Sequence, residues 1–237
     1  MIKDKKAQFL HAVHDKLFEH YGELGCPLLH DSPFQLLIAV LLSAQCKDDR
    51  VNMVTPELFA KYPDAQAMSQ ASVSEIGTII QSLGLWRNKA ENIVKLSRKI
   101  AEEFNNQIPA DMEKLTSLPG IGRKSANVVL GNAFNIPGFP VDTHVQRLMK
   151  HFALANAKDS PEKIEDMVCK RIEPDKWSNF SHLLITHGRR ICIARKPQCQ
   201  ACIIQDLCPA KQAGLEKGKK TFCWIGPFSP PQSPPLL

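Results

Sequence analysis

Four of the eight cysteines, Cys192, Cys199, Cys202 and Cys208, fall within one seventeen-residue stretch spaced C-x6-C-x2-C-x5-C. Soft thiolates gathered that closely select Zn²⁺ or an iron–sulfur cluster. A structural zinc site pairs two tight C-x2–4-C clips across a longer spacer. Here a single tight clip is flanked by loops of six and five residues. Such loops favour a bulky cubane, whose corners stand further apart than the vertices of one zinc tetrahedron. An anionic cluster also favours basic surroundings, which Arg189, Arg190, Arg195 and Lys196 provide.

A second constellation is Leu118-Pro119-Gly120-Ile121-Gly122-Arg123-Lys124, set between helical patterns at Asp111 to Ser117 and Ser125 to Phe134. Two glycines two residues apart permit positive φ and remove side-chain bulk, so another object can approach the backbone. The turn opens a helix, whose unbonded N–H groups and positive dipole end suit a phosphate. A tight helix–helix connection without a ligand reads the same way, and both readings stand. Lys124 falls in the first helical turn, where a cation is disfavoured, and Arg123 adds like-charge repulsion. Both effects favour the uncharged amine that a nucleophile requires, against the plain reading of a solvated surface charge. Asp142 begins another helical pattern after the Pro137-Gly138-Phe139-Pro140 break. An aspartate there is normally an N-cap. Thr143 and Gln146 supply a capping box of their own, which would leave Asp142 free to act elsewhere.

The elements that must position these groups are helical nearly throughout. Leu10, Val13, Leu17 and Phe18 repeat at helix spacing, as do Ile76, Ile79, Ile80 and Leu83, and then Ile93, Leu96 and Ile100. Phe34 to Ala44 is apolar on all sides, the mark of a buried central helix. Gly84 after a helix ending at Leu83, Pro109, and Ser160-Pro161 punctuate the pattern. No stretch alternates with period two for long enough to argue a sheet, so the fold class is all-α. Glu216 to Lys220 is charged, and five prolines crowd the last eleven residues, a composition that predicts disorder over 215–237.

Composition narrows the function classes. The longest apolar run, Leu36 to Leu42, is far too short to span a membrane, and no signal-type segment follows Met1. These features predict a cytoplasmic protein, where disulfides are the weaker account of the cysteines and the Asn179-Phe180-Ser181 sequon is idle. A net charge of +6 and a pI near 8.9 fit a nucleic-acid partner without demanding one.

The glycine turn resembles a helix–hairpin–helix motif, and Val141-Asp142-Thr143-His144 resembles the acidic element that follows it in the same superfamily. The cysteine spacing is similar to the cluster-binding end of the endonuclease III family of DNA glycosylases and apurinic/apyrimidinic lyases. Ser43-Ala44-Gln45 and Gly84-Leu85-Trp86-Arg87-Asn88-Lys89-Ala90 resemble two further stretches of that family, in the family's order. The resemblance implies two helical domains: a helical barrel over residues 26–135, and a domain from residues 1–25 and 136–214 around a [4Fe–4S] cluster. It places the active site in the cleft between them. It also implies an enzyme of base excision repair that flips a damaged, oxidised pyrimidine out of double-stranded DNA and also acts at abasic sites, working as a monomer.

In that reading Lys124 and Asp142 are the catalytic pair. Lys124 attacks C1′ of the sugar and forms a Schiff base, and Asp142 stabilises the cationic sugar or moves protons. Gln45 fills the vacated stack and Leu85 wedges the opposite side, against the plain alternative of core packing. Gly120, Gly122, Arg123, Arg195 and Lys196 contact the DNA, and Cys192, Cys199, Cys202 and Cys208 hold the cluster. Asp48 matches another acidic position near the DNA. The family's monofunctional adenine-glycosylase branch lacks the lysine, so Lys124 argues for the lyase. A monofunctional glycosylase for mismatched or alkylated bases, and a non-catalytic iron–sulfur DNA-binding or redox protein, are the alternatives. Cys46 stands where a small uncharged residue is expected. Cys26 and Cys169 read as buried helical core, His144 as a helix-start residue, and Cys223 as lying beyond the cluster.

Overall fold

Every regular element in the computed structural model, which describes residues 4–214, is helical. The expectation for 215–237, and Cys223 with it, lies outside the described residues. Two compact units form, one from Gly25–Pro140 and one joining residues up to Leu24 with those from Val141 onward. Among the described residues no helix is long and apolar enough to cross a membrane.

In the unit Gly25–Pro140, α2 (Pro33–Leu42) starts where Ser32 accepts a hydrogen bond from the Gln35 N–H at 3.2 Å and Pro33 takes the first helical position. Phe34 and every residue from Leu36 to Leu42 are buried, as an all-round apolar sequence requires. The helix stops short of Ala44: the Ser43 hydroxyl turns back to donate to the Val40 carbonyl at 2.8 Å, and Ala44 is exposed. Helices α3 (Asp48–Lys61), α4 (Ala65–Ser69) and α5 (Val73–Ile80) follow. A Ser72–Glu75 capping box opens α5, and the Ser72 N–H and hydroxyl hold the Glu75 carboxyl down to about 2. This helix ends at Ile80 rather than Leu83. Leu83 is buried through a turn, its N–H bonded to the Ile80 carbonyl at 2.9 Å, which is why its spacing mimicked another helical turn. A Cβ added at Gly77 would lie 2.7 Å from the Trp86 ring, so α5 and α6 (Trp86–Glu103) meet at a distance only glycine allows.

The other unit packs α1 (Lys5–Tyr21) and α9 (Thr143–His151) on α11 (Trp177–Arg190), with α10 (Pro161–Cys169) against α9. Leu10, Val13 and Leu17 are buried; Phe18, read with them, is 44% exposed and stacks on His14 at the rim. Ser160 caps α10 and Pro161 opens it, as the sequence indicates. Ion pairs Asp4–Arg171 at 2.8 Å and Lys16–Asp206 at 2.9 Å tie the start of the chain to its later segments. Cys26 and Cys169 depart from expectation: both are half-buried, and Cys26 lies in the loop between α1 and α2, not in a helix.

Candidate active site and cluster loop

The glycine turn joins α7 (Met112–Thr116) to α8 (Arg123–Phe134). Asp111 caps α7 by accepting from the Lys114 N–H at 2.8 Å, and buried Leu118 and Ile121 anchor the turn. The two glycines do different work. Gly120 has φ +80°, and a Cβ there would lie 3.0–3.2 Å from the Asn92 side chain. Gly122 has φ −98° and ψ 174°, an extended conformation open to any residue, and nothing stands within 4 Å of its missing Cβ. It is the N-cap of α8 and provides no side-chain cap, so the helix start faces open space. Arg123 and Lys124 are the first two residues of α8, and both are exposed. Gly120→Ala should therefore destabilise by about 1–3 kcal/mol, a fall of several degrees in melting temperature. Gly122→Ala should lose under about 1 kcal/mol and weaken DNA binding instead. Thermal melts and duplex titrations of the two variants check this contrast.

Gln45 and Leu85 share an unusual backbone: φ is 55° at Gln45 and 58° at Leu85, the left-handed region that disfavours side chains. Both are exposed, Leu85 at 55%, so core packing is not its role. Two residues held strained and open on short loops are the usual signature of a functional surface. Lys89, one turn into α6, was not singled out from sequence, yet it is buried with no hydrogen bond to its amine.

Asp142 is the N-cap of α9. Its Oδ1 accepts from the N–H groups of His144 at 2.7 Å and Val145 at 2.9 Å. The Thr143–Gln146 capping box does not form, because an aspartate one position earlier reaches the same orphan donors. Capping consumes one carboxylate oxygen; Oδ2 takes part in neither bond, and the side chain is half-exposed. His144 lies in the first turn as expected, half-buried beside Arg147, with burial lowering its pKa.

All four cysteines of the C-x6-C-x2-C-x5-C stretch line one pocket, with apolar walls from Leu148, Phe152 and Ile204. Cys192 follows the end of α11, Cys199 opens a short 3-10 turn, and Cys208 immediately precedes α12 (Pro209–Gln212). Burial and the charge of neighbouring sulfurs push the Cys192 thiol up to about 12, and burial does the same for Cys202, to about 11. A polycationic iron core reverses that penalty by holding each sulfur as thiolate. The donor set, four sulfurs around one pocket, fits an iron–sulfur cluster.

Three neighbours of this loop escaped the sequence reading. Arg147 donates to the carbonyls of Cys192 at 2.7 Å and Gly188 at 2.9 Å, fixing the loop's entry to α9. His151 Nδ1 and His187 Nε2 lie 3.4 Å from the sulfurs of Cys192 and Cys202, and burial lowers both imidazoles to about 4. Gly188 permits this crossing, since a Cβ there would lie 2.9 Å from His144 Cβ. Arg195 and Lys196 are exposed on the six-residue loop between Cys192 and Cys199.

Residues 38–174 match the HhH-GPD superfamily of base excision DNA repair proteins, and residues 192–208, from the first cluster cysteine to the last, match the iron–sulfur binding domain of endonuclease III. Endonuclease III of Synechocystis sp. is 51% identical over 194 residues, 81% of this chain and 88% of that protein. Endonuclease III of Escherichia coli K12 is 45% identical over 90% of this chain and 98% of its own length. A solved non-covalent endonuclease III–DNA complex superposes with a TM-score of 0.84 at 39% identity, covering 88% of this chain and 98% of that one. A trapped endonuclease III–DNA covalent intermediate, an estranged-adenine complex, matches with the same values. An exposed lysine after a locked hairpin, four sulfurs on one cavity and these likenesses agree: the chain belongs to the endonuclease III family, a DNA glycosylase and apurinic/apyrimidinic lyase of base excision repair that carries a [4Fe–4S] cluster.

Proposed function

We propose that this enzyme removes oxidised pyrimidines from double-stranded DNA by extruding the damaged nucleotide, with Lys124 as nucleophile. The observation that carries the reading is the placement of Lys124, exposed in the first turn of an uncapped helix beyond a conformationally locked hairpin. The α8 start and its flanking Arg123 receive a backbone phosphate, which neutral N–H donors and the dipole favour. Open space above Gly122 lets that phosphate come close. Leu85 enters the base step and Gln45 replaces the extruded base, its amide bonding the orphaned partner, at an unstacking cost of a few kcal/mol. The Lys124 amine attacks C1′, the damaged base leaves, and the resulting Schiff base undergoes β-elimination that breaks the strand on the 3′ side.

Asp142 stabilises the developing positive charge on the sugar through its uncommitted oxygen and serves in proton transfer. Its capping bond gives a way to separate structure from chemistry. Asp142→Asn keeps an oxygen for the His144 and Val145 N–H groups, so the melting temperature should change little. Base release should nevertheless fall about 100-fold, because the charge is gone. Equal release by the asparagine variant would reduce Asp142 to a helix cap.

Cys192, Cys199, Cys202 and Cys208 hold the cluster, which when bound supplies a rigid anionic anchor for the loop between the first two. Arg195 and Lys196 on that loop then meet the DNA backbone, a salt-sensitive contact that carries no sequence information. The enzyme acts as a monomer in the cytoplasm, on the nucleoid in a bacterium. Its substrate class is tested with duplexes carrying a single oxidised pyrimidine, an oxidised purine, an alkylated base or a mismatch. Release and strand cleavage confined to the oxidised pyrimidine are expected, and release without cleavage would make the enzyme monofunctional.

A further inference from the structure

Two imidazoles reach sulfurs of the cysteine loop, and each comes from a helix that also grips the loop's backbone. His187, in the last turn of α11, is only 1% exposed, and its carbonyl accepts from the Cys192 N–H at 2.9 Å. Its Nε2 stands 3.4 Å from Cys202 Sγ. His151 is the last residue of α9, one turn after the Arg147 that holds the Cys192 carbonyl, and its Nδ1 stands 3.4 Å from Cys192 Sγ. A sulfur held as thiolate carries no hydrogen, so in both contacts the ring N–H is the donor. In a neutral imidazole only one nitrogen carries hydrogen, which leaves Nδ1 of His187 as an acceptor. The Tyr21 hydroxyl lies 3.2 Å from that nitrogen, while the Tyr21 ring is packed edge-on against His20 at 4.6 Å between centroids. The outcome is a directed chain, from Tyr21 O–H to His187 Nδ1 and from His187 Nε2–H to Cys202 Sγ.

We infer that His151 and His187 donate N–H···S hydrogen bonds to Cys192 and Cys202 that raise the reduction potential of the cluster, and that Tyr21 is a positioning residue acting through His187. Hydrogen bonds to the ligating sulfurs, together with burial and net charge, set the potential of such clusters. Each N–H draws electron density from its sulfur. Uptake of one electron adds negative charge there without making or breaking a covalent bond, so the hydrogen bond grows stronger. The reduced form therefore gains more from the two imidazoles than the oxidised form does. Neutral donors achieve this without burying a cation, which would carry its own desolvation cost. Tyr21 contributes by holding the His187 ring with its Nε2–H aimed at the sulfur, as hydrogen-bonded partners of metal-site groups do. The inference rests on the reading of the four cysteines as the cluster's ligands.

The test is voltammetry of the intact, cluster-loaded protein and its variants in the absence of DNA. His151→Leu and His187→Met remove the donors, whereas His151→Asn and His187→Gln put an amide N–H at nearly the same reach. Each donorless variant should shift the one-electron equilibrium about tenfold toward the oxidised cluster, a potential lower by about 59 mV. The two amide variants should stay near the parent. Tyr21→Phe keeps the ring and loses only the hydroxyl, and should shift the same way by about threefold. Unmoved potentials in His151→Leu and His187→Met would overturn the inference, and so would equal shifts in the donorless and amide variants, which would make the effect one of packing. Where a variant fails to hold its cluster, the parent decides. Grown with nitrogen-15-labelled histidine and examined in a paramagnetic one-electron form, it should show pulsed-EPR coupling to imidazole nitrogen, and no coupling would end the proposal. A colourless, iron-free parent would instead defeat the ligand reading, and this inference with it.

Discussion

Lys124→Gln is expected to abolish the adduct that borohydride forms between this protein and abasic DNA, and to lower strand cleavage by on the order of a thousandfold or more. Borohydride traps only an imine between the enzyme's amine and C1′, so the adduct reports the nucleophile directly. Glutamine suits a helix first turn as well as lysine does, and it leaves the backbone N–H groups after Gly122 in place. The variant should therefore still bind the abasic duplex with nearly parental affinity, which separates lost chemistry from a lost fold. The neighbouring Arg123 cannot substitute, since a guanidinium forms no such imine, and Lys89 is buried in the core of its unit. A persistent adduct in Lys124→Gln would remove Lys124 from the reaction.

The second large effect concerns the cluster. Cys199 is the one cluster cysteine that is buried, and the pocket it lines has apolar walls that suit a hydroxyl poorly. Cys199→Ser should lose the visible iron–sulfur absorbance together with its iron and sulfide. Losing a structural metal group releases several kcal/mol of folding free energy, so the melting temperature should fall by about 10 °C or more. Much of the damage should be local. The segment from Cys192 to Cys208 carries short 3-10 and turn hydrogen bonds in place of a long helix, and protease should cut it early. DNA affinity should then fall with a shallower salt dependence, because Arg195 and Lys196 lose their mounting. Retained affinity and retained salt slope in a cluster-free variant would exclude that loop from the DNA contact.

Much of this was legible in the residues themselves. The all-α class followed from helical periodicity, and the hairpin and cysteine stretch were readable because short-range spacing sets their geometry. What was not legible has a common cause: competition between neighbours along the chain. Asp142 and Thr143 both qualify as an N-cap, and only the structure shows that the aspartate reaches the donors. Gly120 and Gly122 look alike in sequence, but Asn92, brought in by α6, makes only the first indispensable. Leu83 kept helical spacing while lying in a turn. The partners of the cysteines, Arg147, His151 and His187, lie on α9 and α11, far away in sequence, and no local pattern announces them. Lys89 had a signal that could have been used: it falls on the same helical stripe as Ile93, Leu96 and Ile100, where a lysine is out of place.

The division of the chain also sets an order of events during synthesis. Gly25–Pro140 is continuous, so the hairpin-bearing unit can close its core while the ribosome is still adding later residues. The unit that opens the chain must wait, because Asp4 pairs with Arg171 and Lys16 with Asp206. Cys208, the last of the four cluster cysteines, is translated after both of these partners. Iron loading is thereby a late maturation step, and a nascent chain stalled before Cys192 should already resist proteolysis over its central helices while holding no iron at all.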